Sequence, residues 1–168
     1  MSDTPAPDQP ESLRHAKERV RKFLVVVDKS PECHVALRFA ARRAQATSGR
    51  VTLLCVTQPG DYQQWRGVEE IMKDEAHQEA EQLLHTAAKA VNELSGIMSE
   101  LVILDGRAPD SVLNLIKQDK DISILVLAAS TAKEGPGPLV AMAGASQYPI
   151  PVTIVPGGLS DETVDALA

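Results

Sequence analysis

A chain of 168 residues fits one ordinary domain and is long enough to hold a core without disulfide or metal staples. Its 43% apolar content is ordinary, but aromatic residues make up only 3%, so the core has to be built from Val, Leu, Ile and Ala, a composition that favours a layered α/β fold over a β-sandwich. A net charge of −6 offers no field to attract a phosphate backbone, which argues against nucleic acid as a partner.

Residues 1–21 open with a polar, proline-rich run that cannot bury enough surface to offset its ordering entropy, followed by a short charged stretch. They are expected to be disordered or weakly helical. Met1 to Pro10 contains no apolar targeting segment, and no stretch approaches the ~20 apolar residues of a membrane span, so the expectation is a cytoplasmic protein without membrane contact. Cys33 and Cys55 stand outside any CxxC spacing and read as buried thiols of a reducing compartment.

The first strong element is Phe23 to Asp28, FLVVVD, a continuous apolar run ending in an acid, which suits a strand buried on both faces. Ser30 then offers an N-cap hydroxyl and Pro31 a pre-set φ for a helix carrying Val35, Ala36, Phe39, Ala40 and Ala44, with Gly49 just past its end. Val51 to Thr57 reads as a second strand, closed by the breaker Gln58-Pro59-Gly60-Asp61. From Val68 to Leu94 apolar residues recur at steps of three and four, which predicts one long amphipathic helix.

Leu101 to Asp105 gives a third strand, Gly106 breaks it, and Pro109 opens the next helix. Ile122 to Ala129 is the fourth strand, the small residues from Leu139 to Ser146 form one short helix, and Val152 to Val155 is the fifth strand. Strands alternating with helices in this way predict an open, parallel, five-stranded sheet covered by helices on both faces, in three layers over residues 22–157. Residues 158–168 are expected to form a flexible tail. Any ligand on such a sheet binds beyond the carboxyl ends of the strands, which points to Asp28 to Ser30, Val56 to Thr57, Asp105 to Gly106 and Ser130 onward.

Neither a G-x-G-x-x-G fingerprint nor a Walker A sequence follows the first strand, where Asp28-Lys29-Ser30-Pro31 stands instead. Cys33 and His34 are adjacent on a helix, about 100° apart, and make a poor nucleophile and base. His77 and His85 lie eight apart and neither has an i, i+4 histidine partner, so no metal site is expected. Tyr62 and Trp65 sit in the loop after the second strand, as a cap on the core edge or a lid over the crevice.

The run FLVVVDKSPECHVAL from Phe23 to Leu37, with Asp105-Gly106-Arg107-Ala108-Pro109 leading through IKQDKDISILVLAAS, resembles the universal stress protein family. The resemblance extends from Lys22 to Pro156 and implies an adenine nucleotide alpha hydrolase-like fold. It also implies a non-catalytic binding or regulatory role in stress response. Asp28, Ser30 and Val56 match the family positions that respectively approach the ribose and adenine, cap the first helix and line the adenine pocket. Ser130 begins the phosphate loop.

Nucleotide-binding members carry G-x2-G-x9-G-[ST] in that loop. Here Ala129 and Ala132 take the places of the first two glycines, and Pro138-Leu139 falls near the last pair. A Cβ blocks close backbone approach and proline removes an N–H, so no cofactor is expected to bind tightly, although an adenine nucleotide with weakened phosphate contacts stays open. The resemblance further implies a homodimer through the last strand, Val152 to Val155. A reading from another class is a receiver-like phosphotransfer domain using Asp105, with Asp28 and the hydroxyls of Ser130 or Thr131, but it lacks paired acids after the first strand and a lysine after the fifth.

Overall fold

The computed structural model describes residues 19–58 and 66–168. The expectations for residues 1–18 and for Tyr62 and Trp65 lie outside the described residues. Five strands are present: β1 (Lys22–Val26), β2 (Arg50–Thr57), β3 (Glu100–Asp105), β4 (Ile122–Ala129) and β5 (Val152–Pro156). The helices are α1 (Cys33–Ala46), α2 (Arg66–Ser95), α3 (Ala108–Gln118), α4 (Pro138–Gly144) and α5 (Asp161–Leu167). All strands run parallel in the order β3-β2-β1-β4-β5, with β1 in the centre.

The continuous apolar runs are explained by burial on both faces. Alternation along β1 sends Phe23 and Val25 to one side, against α1 and α2, and Leu24 to the other, against Val112, Leu115 and Ile116 of α3. The chain winds outward from β1 through β2 to β3, then crosses back to lay β4 on the other flank of β1. The strand order therefore reverses between β1 and β4. That reversal opens a crevice at the carboxyl ends of the two strands.

Helix ends differ from the expected chemistry in two places. Ser48, not Gly49, takes the left-handed conformation after α1, with φ of 52°. Gly49 is required for space instead, because a Cβ there would stand 2.8 Å from the Arg21 carbonyl oxygen. At the amino end, Ser30 does not cap α1. Its N–H and hydroxyl both donate to Asp28 Oδ1, at 2.9 and 2.6 Å, and α1 begins only after Glu32. An Asp two residues upstream competes successfully for a serine hydroxyl in this local geometry.

Residues 158–168, expected as a flexible tail, carry α5. Ser160 accepts from the Thr163 N–H as its N-cap, and Val164 is fully buried in the α1 and α2 layer. Arg38 of α1 grips Asp165 with both arms of its guanidinium, at 2.8 and 2.7 Å, while Arg42 reaches Asp165 at 3.1 Å and the Leu94 carbonyl at 2.7 Å. These hydrogen bonds from Arg38, then Arg42, hold the Asp165 carboxyl down at about 2. A depressed carboxyl stabilises the fold above its unfolded value of 3.8 and loses that contribution as the pH falls through about 2. Asp165→Asn is expected to lower the urea midpoint at pH 6 and to differ little from wild type below pH 2. An equal difference at both pH values would contradict the clamp.

Candidate functional site

The crevice between the carboxyl ends of β1 and β4 is a cleft of about 380 Å³. Its walls are mostly apolar, with Val26, Val56, Leu127 and Leu139 among them, and the polar groups Asp28, Ser30, Glu32 and Ser130 converge on it. All four residues named from the sequence, Asp28, Ser30, Val56 and Ser130, therefore meet at one place. Among the described residues lining the cleft, none is Lys, Arg or His. Lys29, the nearest cation in sequence, pairs with Glu79 of α2.

Asp105 does not join them. It ends β3 at the sheet edge, with β2 between it and β1, and accepts a hydrogen bond from the Thr57 hydroxyl. A receiver-like phosphotransfer site needs its acids on one central crevice, and strand order denies that here. Order was not readable from the element sequence, which is the same for both folds. Cys33 points into the core at 7% exposure, and burial pushes its thiol up to about 11, so it carries no thiolate near neutral pH. Exposed His34 meets the Pro31 carbonyl through Nδ1 at 2.6 Å, and His77 pairs with Glu81 along α2.

The loop after β4 is closed on itself. The Ser130 N–H donates to the Pro136 carbonyl at 3.2 Å, the Ala132 N–H to the Ser130 hydroxyl at 3.1 Å, and the Gly135 N–H to the Ala132 carbonyl at 3.3 Å. Gly135 and Gly137 hold φ of 114° and 97°, which L side chains rarely adopt, so the glycines that matter lie late in this loop. Ala129 and Ala132 need no positive φ in this shape. Pro138 opens α4, where its missing N–H costs nothing.

Two residues the sequence reading passed over complete the site. Glu32, 6% exposed, accepts from the Thr131 N–H at 3.0 Å and the Thr131 hydroxyl at 2.7 Å, both at Oε1. These bonds hold its carboxyl below the ordinary value. Gly157 follows β5, and its N–H donates to the Ala129 carbonyl at 3.1 Å. A Cβ on Gly157 would stand 2.3 Å from Glu32 Cγ and 2.4 Å from the Ala129 oxygen. The only signals in the sequence were an acid opening a helix and a glycine ending a strand. The acid does not name its partner 99 residues away, and the glycine does not name the carboxylate it packs against.

Comparison with known proteins agrees with this architecture. The model of the universal stress protein family matches residues 19–156. The chain belongs to the universal stress protein family, and α5 lies beyond the matched span. No curated protein sequence matches significantly. Among solved structures, the universal stress protein UspA from Lactobacillus plantarum has 20% identity and a TM-score of 0.71, covering 82% of this chain and 98% of that one. A universal stress protein family protein from Arabidopsis thaliana with AMP bound has 20% identity and a TM-score of 0.61, covering 85% and 95%. The universal stress protein from Archaeoglobus fulgidus in complex with dAMP has 22% identity and a TM-score of 0.56, covering 82% and 98%.

Because Gly157 leaves no room for a side chain beside Glu32, Gly157→Ala is expected to cost about 1–3 kcal/mol, the usual range for overpacking. Urea denaturation measures it, and a neutral change would show that both Glu32 and the Ala129 carbonyl give way.

Proposed function

We propose that the protein is a non-catalytic binding or regulatory module of the cytoplasmic stress response, with no reaction of its own. Its cleft takes an adenine-type ligand by base and sugar and holds triphosphate weakly. The observation that carries this reading is the state of the loop after β4, whose N–H groups at Ser130, Thr131, Ala132 and Gly135 are all committed to partners within the protein. A phosphate must compete with each of those bonds, in a cleft without a lining cation among the described residues. The apolar wall at Val26 and Val56 and the exposed Asp28 carboxylate suit a base and a ribose, and AMP and dAMP in two relatives support the ligand class. Calorimetry with millimolar ATP is the test. Weak or undetectable heat is expected, and a dissociation constant in the low micromolar range would contradict the reading.

The assembly we propose is a homodimer through β5. This strand ends the sheet, and its Ile154 side chain is 41% exposed. The Pro151 carbonyl and the Gly157 N–H both bond to β4, so by alternation Thr153 and Val155 also face β4, while Val152 and Ile154 turn their backbone groups to the open edge. Ile154→Pro removes an edge N–H and spares the β4 ladder. Light scattering is expected to give a dimeric mass for the wild type and a shift toward monomer for Ile154→Pro. A monomeric wild type at tens of micromolar would overturn the dimer.

A further inference from the structure

Glu32 is a charged side chain buried at the edge of the cleft, and its contacts have the chemistry of a bound anion. One carboxylate oxygen takes a backbone N–H and a hydroxyl from the same residue, Thr131, at 3.0 and 2.7 Å. An N–H and an O–H converging on one oxygen form a donor set that serves a phosphate oxygen as readily as a carboxylate. The side chain is also held from behind, because the Gly157 backbone leaves no room beyond its Cβ and Cγ. Glu32 and Ser130 line the cleft, and Thr131, which does not line it, follows Ser130 in the chain and is held to Glu32 by both donors.

We propose that Glu32 is the specificity-determining residue of the cleft, a built-in anion that occupies an oxyanion receptor at Thr131 and so admits phosphate-free ligands of the nucleoside class while excluding phosphorylated ones. The exclusion has two parts. The receptor's donors are already satisfied, and a phosphate brought near them meets a fixed negative charge. The ligand class rests on the reading of the cleft given above, whereas the occupied receptor stands on Glu32 and Thr131 alone.

The experiment follows the Thr131 amide by two-dimensional NMR of the full chain during titration with inorganic phosphate, then with adenosine and AMP separately. In the wild type this amide is expected to stay unmoved by phosphate. In Glu32→Ala it is expected to shift saturably. Glu32→Gln, which keeps a neutral acceptor for the same donors and so preserves the local fold, is expected to respond between the two. Adenosine is expected to bind the wild type at least as tightly as AMP. Glu32→Ala is expected to improve AMP by about tenfold or more and leave adenosine unchanged, the scale of one charge-assisted hydrogen bond. A wild-type Thr131 amide that responds to phosphate as strongly as both variants do would overturn the proposal. So would variants as silent as the wild type. If phosphate moves Thr131 in the variants but adenosine binds none of the proteins, the occupied receptor stands and the adenine reading falls.

Discussion

Burial of β1 on both faces is the constraint from which the other features follow. A strand at the centre of a parallel sheet has no solvent side, so Phe23 and Val25 must find one helix layer and Leu24 another. Two layers of helix demand crossovers in both directions from β1, and those crossovers place β2 and β4 on opposite flanks. The crevice between β1 and β4 is a consequence of this winding. It exists before any residue in it has a role.

What the crevice can hold is decided by how its backbone donors are spent. A loop at the end of a strand presents N–H groups that must be paired with something. Here the Ser130, Ala132 and Gly135 N–H groups are paired inside the loop, and the Thr131 N–H is paired with Glu32 from the start of α1. The path of the chain after β5 enforces the last of these pairings, since Gly157 packs against Glu32 and α5 then anchors the segment through Val164 and the Arg38 fork on Asp165. Stability and specificity thus meet at one carboxylate. Its lowered protonation range keeps it ionised at neutral pH, where it repels another anion.

The sheet was legible because burial on both faces writes an unbroken apolar run, and β4 falls on Ile122 to Ala129 as the run itself does. Helix starts were less legible where two polar residues compete. Ser30 has the chemistry of a cap, yet Asp28 takes its hydroxyl, and no count of propensities decides between them. Strand order was not legible at all, which is why Asp105 passed for a neighbour of Asp28 until β2 was seen between them. The same holds for α5. A Gly-Gly pair followed by acids reads as a tail, and only the facing Arg38, 127 residues away, turns those acids into an anchor. Long-range pairs of this kind leave no local pattern. Glu32 with Thr131 belongs to the same group, so Asp28, Ser30, Val56 and Ser130 were named from the sequence and the carboxylate beside them was not.

With Glu32 in place, the receptor at Thr131 stays closed to phosphate even when the cleft is exposed to a nucleotide. A crystal structure of the full chain grown in saturating AMP tests it most directly. Glu32 is expected to keep both hydrogen bonds from Thr131, with no phosphate oxygen approaching that N–H. A phosphate oxygen seated on the Thr131 N–H, with the Glu32 carboxylate displaced, would contradict it.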